Sequence, residues 1–261
     1  MGYPLGVASD HCQVLVMDPE LAEGLDGERL QRARRDSMSA TMVLEEGPWD
    51  PFGPGERVRG GIGLLVLTGV IVRRVGADGR YGAELLGPGD LLRPWQHQGE
   101  DATLPFHTTF RVTQRARVAL LDRRFAARLA PYPEVSSALV GRAMQRSRTL
   151  AVDMAIAHYA RVDQRLLRLL WHLADRWGRV TPAGVRVPVN VTHQMLADLV
   201  AARRPAVTTA LRGLTRDGRL ERVEGGWLLF GEPPDDLYRA IAEAPAGGRG
   251  AVGTAPAAAL H

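Results

Sequence analysis

The sequence predicts an α+β chain: an antiparallel β-roll, then a long helix, then a small helical domain closed by a hairpin. Three observations predict it. Between residues 38 and 122, short apolar runs recur between glycine turns. Residues 133–160 contain no Pro after Pro133 and no Gly except Gly141, and carry apolar residues at helical spacing. Residues 192–214, "THQMLADLVAARRPAVTTALRGL", hold two short amphipathic segments joined at a bend, and a second hairpin signal follows them.

The elements follow in order. Residues 1–37 form an N-terminal helical segment, since "DPELAEGLDGERLQRARRD" sets apolar residues between charges at helix period. Residues 38–130 form the roll and a short helix, "RRFAARLA". Its strand signals are "TMVLEEG", "LLVLTG", "VIVRRVGADGRY", "AELLGPGD", "FRVTQ" and "RVALLD". "GADG" marks a hairpin and "GPGD" a tight turn. Many short strands at even spacing indicate a roll, barrel or jelly roll rather than a parallel sheet. Residues 131–160 form the long helix. Along it Val140, Ala143, Ser147, Leu150, Met154 and Ala157 alternate at spacings of three and four, a coiled-coil seam with small residues. That stripe suits a homodimer contact; packing on the helix's own domain is the alternative. Residues 161–232 contain a helix with Leu166, Leu169, Leu170, Leu173 and Trp177 on one face, the paired short helices, and "GRLERVEGGWLLF" as a hairpin. Residues 233–261 are a helix remnant and an Ala/Gly/Pro-rich tail.

The charge is unevenly distributed. All 33 basic residues are Arg and the net charge is +4. Residues 161–230 hold 12 Arg against 6 acids, while residues 1–160 balance 19 against 19. A basic segment attached to a neutral one suggests a polyanion partner. The lack of Lys also fits a plain compositional bias towards Arg. Cys12 is the only cysteine, which excludes an intrachain disulfide and any all-cysteine metal centre within one chain. The longest apolar run, "GLLVLTGVIV", is about half a membrane span. No basic start followed by an apolar stretch opens the chain. A cytoplasmic protein without membrane contact is expected.

The bend between the two short helices gives the main functional expectation. Thr192 caps the first, whose buried face is Leu196, Leu199 and Val200. Pro205 sits in the first turn of the second, where a missing N–H costs nothing. With Val207, Leu211 and Leu214 inward, Arg203, Arg204, Thr208, Thr209 and Arg212 face outward, with Arg216 beyond them. Arg can grip guanine bidentately, and Thr can touch a phosphate or a thymine methyl. Thr192, His193 and Gln194 are placed to meet phosphates, as is Arg222 in the terminal hairpin. Helix, helix–turn–helix and hairpin together read as a winged helix that binds double-stranded DNA.

"VTHQMLADLVAARRPAVTTALRGLTRDGRL" resembles the winged helix–turn–helix of the Crp–Fnr (cyclic AMP receptor protein) superfamily of bacterial transcription regulators. "GPGE", "LLVLTGVIV" and "GADGRYGAELLGPGDLL" follow the order of that family's cyclic-nucleotide-binding β-roll, and the 133–160 helix stands where the family has its dimerisation helix. The resemblance implies a homodimer on an inverted repeat, with RNA polymerase as a further partner; no nucleophile–base cluster or phosphate-cradling loop stands in the sequence, so no enzyme activity is expected. Arg204 matches the first residue of the family's best-known recognition helix. Pro205 replaces its Glu and Thr209 its second Arg, so a different base sequence is expected.

The ligand of the roll is a separate matter. The family's cassette places Gly-Glu directly after the "GD" turn, then Arg-Ser or Arg-Thr. Gly89-Asp90 is followed instead by "LLRPWQHQGEDATLPFHTTF", with neither pair at that spacing. Binding of cyclic AMP in the family's manner is not expected, and no cofactor or metal is assigned. Arg93 and Trp95 are candidates for another effector by charge and stacking. A competing reading makes the roll a cupin-like metal sensor or enzyme using His97 and His107 with Glu84 or Glu100. Ten residues between the two histidines is no diagnostic ligand spacing.

Overall fold

The computed structural model describes residues 8–77, 79–94 and 106–234. The described residues up to Phe230 form one compact unit. No helix among the described residues is long and apolar enough to cross a membrane.

Strand β1 (Ala8–Gln13) opens the chain, followed by helix α1 (Val14–Met17), a 3-10 turn (Pro19–Ala22) and α2 (Gly27–Asp36). The roll then comprises β2 (Met38–Leu44), β3 (Gly47–Trp49), α3 (Phe52–Val58), β4 (Gly63–Ala77), β5 (Arg80–Leu86), β6 (Leu91–Leu92) and β7 (His107–Leu121). These strands form one antiparallel sheet in the order β1-β2-β7-β4-β5, with β3 also on β7 and β6 also on β4. After it come α4 (Arg123–Leu129), the long helix α5 (Pro133–Ala157) and α6 (Val162–Trp177). The chain then folds β8 (Arg179–Thr181), β9 (Gly184–Val187), α7 (His193–Leu199), α8 (Arg204–Arg216), β10 (Leu220–Val223) and β11 (Gly226–Leu229).

The sheet corrects the sequence reading in three places. The first described residues of the N-terminal segment form a strand rather than a helix, because β1 pairs with β2 from Ala8 to Gln13. The run at Phe52–Val58 is helical. Four of the expected short strands are halves of two 15-residue ones, β4 and β7, which pair along almost their whole length. Gly69 explains the false break. The ladder shifts register on both sides of it, its φ is +83°, and a Cβ there would collide with the backbone of Arg115 and Ala116. A glycine that ends a strand in sequence bends one in space.

The unbroken apolar character of β4 has a packing cause. Leu64, Val66 and Ile71 face the roll interior with Met42, Leu86, Phe110 and Val118. Leu65 and Leu67 face the helices, beside Leu15, Phe125 and Leu139. Beyond the bend Val70 and Val72 join the core of the winged domain with Leu166, Leu170 and Val187. A strand covered on both faces loses the alternation of a half-exposed one.

Roll and winged domain therefore share a core, and polar contacts reinforce it. Arg74 Nε stands 2.7 Å from Asp198 Oδ2 on α7. Gln114 donates to Pro188 O (2.9 Å). Arg176 on α6 donates to Asp90 Oδ2 (2.7 Å), whose carboxylate also accepts from Gly87 N. The Trp177 indole lies against Gly87, where a side-chain carbon would overlap the ring.

The long helix has two faces. Val135, Leu139, Thr149 and Ile156 are buried. Arg142 is bound to Asp18 and Glu20. Arg146 is bound to Glu84 (Nη2–Oε1 2.5 Å) and donates to Leu91 O. The seam residues lie opposite. Val140 and Met154 are 60% and 66% exposed, Ala143 and Ser147 are exposed too, and Leu150 and Ala157 are half-buried.

Candidate nucleic-acid interface

The two short helices are built as the sequence indicates. Thr192 Oγ1 accepts from Met195 N (3.2 Å), capping α7. Met195, Leu196, Leu199 and Val200 are buried. The bend needs one residue in the left-handed region, and Ala201 takes it at φ +48°. Ala202 N then donates back to Ala197 O (2.9 Å). Pro205 lies in the first turn of α8, and Val207, Leu211 and Leu214 pack inward. Gly218, at φ +65°, ends the helix in a Schellman turn: its N–H donates to Thr215 O, and Arg219 N donates to Leu214 O.

The outer face of α8 presents Arg203, Arg204, Thr209 and Arg212, all exposed. Among the described residues none of these three guanidinium groups makes an ion pair. Arg216 lies against Asp217 (3.4 Å) at the helix end. Thr209 Oγ1 donates to Pro205 O (3.2 Å), so its methyl and an acceptor lone pair remain for a partner. Thr208 differs from the sequence expectation. It is half-buried, its hydroxyl donates to Arg204 O (3.1 Å), and the same oxygen lies 2.9 Å from His193 Nδ1. Thr208 thus joins the two helices instead of standing free.

The other predicted contacts divide similarly. Thr192 and Gln194 are exposed, and Gln194 donates to Asp198 Oδ1 (3.0 Å) one turn on. Arg222 turns inward: its guanidinium donates to Asn190 Oδ1 (2.7 Å) and Val191 O (3.2 Å) and covers the Trp227 ring at 4.7 Å. It braces the segment leading into α7. The terminal hairpin, β10 with β11, extends through β9 to β8 as a four-stranded sheet.

Two residues escaped the sequence reading. Arg165 on α6 donates to Val200 O and Ala201 O (3.1 Å each), satisfying carbonyls left open at the bend. Asp198 carries both the Gln194 and the Arg74 contacts. No local pattern announces either role, because Arg165 reaches far along the chain and Arg74 comes from the roll.

The roll encloses a second feature. A cavity of about 630 Å³ lies between the sheet and α5, lined in part by Arg73, Leu92, Arg93, Arg146, Ser147 and Leu150. Ala143, Ser147 and Leu150 of the seam also line it. Arg73 and Arg146 both bind Glu84, whose side chain is only 6% exposed. That carboxylate is enclosed by guanidinium groups, so it is poorly placed to ligate a cation, and His107 is exposed at the start of β7. Trp95, His97 and Glu100 lie outside the described residues.

The geometry defines the class: a winged helix–turn–helix protein whose reading head is docked on an antiparallel β-roll. Residues 164–230 match the Crp-like helix-turn-helix domain. The chain is 26% identical over 181 residues to the CRP-like cAMP-activated global transcriptional regulator of Mycobacterium tuberculosis, covering 69% of this chain and 77% of that one. Its fold is similar to that of a CooA variant from Carboxydothermus hydrogenoformans, at TM-score 0.55 and 15% identity, over 90% of this chain and 98% of that one. It is also similar to a CRP-family transcriptional regulator from Thermus thermophilus, at TM-score 0.51 and 21% identity, over 72% of this chain and 91% of that one. Residues 164–230 thus carry a Crp-like helix-turn-helix domain, and the chain as a whole is similar to CRP-like regulators.

Proposed function

We propose that this chain, a DNA-binding transcription regulator of Crp–Fnr type, acts as a homodimer on an inverted repeat. The carrying observation is the outer face of α8. Arg203, Arg204 and Arg212 stand there exposed and, among the described residues, without carboxylate partners, on a helix fixed by a buried face and by contacts from α6 and α7. Arg204 is the base reader. Arg203, Arg212, Thr192 and Gln194 hold the phosphates on either side. The α5 seam supports the dimer, since Val140, Met144 and Met154 form an apolar stripe open to solvent in the single chain. Two copies joined along it would set two recognition helices in successive major grooves, about 34 Å apart.

The roll is the sensory or scaffolding part, acting through the crossing of the paired α5 helices. The mycobacterial relative is described as cAMP-activated. The Gly-Glu and Arg-Ser/Thr pairs at the family's spacing are missing from this chain. Arg73 and Arg146 at the cavity are committed to Glu84. We therefore assign the cavity to an effector other than cyclic AMP or to none.

Selecting genomic DNA fragments on the purified, ligand-free protein at near-physiological salt tests this reading. An inverted repeat with half-sites about one helical turn apart is the expected result. Salt-sensitive retention of fragments without a shared motif would count against an effector-free binding state. Met154→Asp should yield a monomer in sedimentation equilibrium and bind single half-sites only; a dimer that survives it places the interface elsewhere.

A further inference from the structure

His193 and Thr208 carry more than a link between helices. A threonine hydroxyl has one hydrogen, and that of Thr208 goes to Arg204 O (3.1 Å). With that hydrogen so placed, the oxygen has only lone pairs to offer His193 Nδ1 at 2.9 Å, which assigns the ring hydrogen to Nδ1. In a neutral ring this leaves Nε2 with no hydrogen. His193 is the first residue of α7, between Thr192 and Gln194, at the end assigned above to the DNA backbone. A phosphate oxygen accepts hydrogen bonds and donates none. Nε2 can meet it only when the ring is an imidazolium.

We propose that His193 is a proton-linked phosphate contact whose tautomer is locked by Thr208, so that binding DNA takes up a proton; this rests on the DNA-binding reading. The surroundings suit such a switch. On α8, Arg204 and Arg212 lie one turn before and after Thr208. The hairpin brings Arg222 to Asn190 and Val191 O just ahead of α7. The roll sets Glu46 and Arg111 beside Thr192. On α7 itself Asp198 is occupied by Arg74, and Arg165 of α6 sits at the far end of the helix. A phosphate arriving at Nε2 supplies the anion that favours a second proton on the ring.

The test uses the full-length protein and a duplex recovered by selection from a random-sequence pool, with affinity measured from pH 8 to pH 6 at constant ionic strength. The wild type should tighten by about fivefold, the size expected when a histidine takes up a proton on meeting an anionic partner. His193→Gln supplies an uncharged donor and should bind with no pH dependence. Thr208→Val should also flatten the profile, because the freed ring can carry its one hydrogen on Nε2. Selective binding with a flat wild-type profile, or an unchanged slope in His193→Gln, overturns the proposal. If no duplex is bound selectively at any pH, the DNA-binding reading fails instead. The lock is then tested alone by 15N NMR of the free protein: an Nδ1–H ring upholds it and an Nε2–H ring refutes it.

Discussion

Arginine does two different jobs in this chain, and the roll and α8 show them side by side. In the roll and the helices against it, Arg73, Arg74, Arg142, Arg146 and Arg176 each meet a carboxylate, and their side chains are a third exposed or less. At the start of α8 and along it, Arg203, Arg204 and Arg212 are exposed and, among the described residues, meet none. Composition alone cannot separate the two sets, since every basic residue is Arg. The difference is whether the charge is already neutralised inside the fold or is left for a partner. Only the second kind contributes to a field that attracts DNA.

Breaking the interior set should cost most. Glu84→Gln would leave Arg73 and Arg146 partly buried without their anion and should lower stability by about 3–5 kcal/mol, read as a lower urea midpoint. Arg204→Ala should leave that midpoint within about 0.5 kcal/mol. A matching loss in both variants would erase the distinction.

Asp153 is the interior exception. It lies on α5, 4.0 Å from His172 of α6, while the nearby Arg176 is bound to Asp90. Burial pushes its carboxyl up to about 7, with Arg176 pulling down and Glu84 pushing up. Burial, aided by Arg176, holds the His172 imidazole below its usual range. The folded state binds the Asp153 proton more tightly than the unfolded chain does. Stability from this group is thus greatest below about pH 4 and falls as pH rises to about 7. His172 has the opposite slope: its neutral folded form loses stability as pH drops through and below the ordinary histidine range. Asp153→Asn removes the first slope alone. It should raise stability at pH 8 by about 2–4 kcal/mol and remove the fall that this group contributes between about pH 4 and 7. A profile unchanged by the substitution would mean that Asp153 finds a partner in solution.

Smaller effects sharpen the other side. Arg204→Ala should reduce discrimination at one base position by about 1–3 kcal/mol, measured by competition between selected and point-mutated duplexes. Arg222→Ala should weaken all sequences alike and also cost about 1 kcal/mol of stability, because the guanidinium braces Asn190 and Val191.

Legibility in the sequence follows the same division. Thr192, Pro205, Gly218 and the spacing of Leu196, Leu199, Val207, Leu211 and Leu214 act within a few residues, so caps, bend and buried faces of the reading head are all visible. The roll hides its plan because its pairings are distant. β7 meets β4 more than thirty residues away, and Gly69 looks like a strand end. The dual role of α5 is visible as a stripe, but its other face, with Arg142 and Arg146 held by Asp18, Glu20 and Glu84, depends on contacts no local spacing encodes. The inward turn of Arg222 and the tie between His193 and Thr208 are hidden likewise, since a side chain's direction depends on what it finds across the gap.

Gly87 has a practical consequence. Its bare Cα is what allows the indole of Trp177 to come flush with the turn that also holds Arg176 through Asp90. It acts as a shim of minimum thickness between the roll and α6. Gly87→Ala or Gly87→Val would insert a wedge of graded size at that contact. Such a series would move the reading head off the roll in steps, turning the spacing between the two halves into an adjustable quantity.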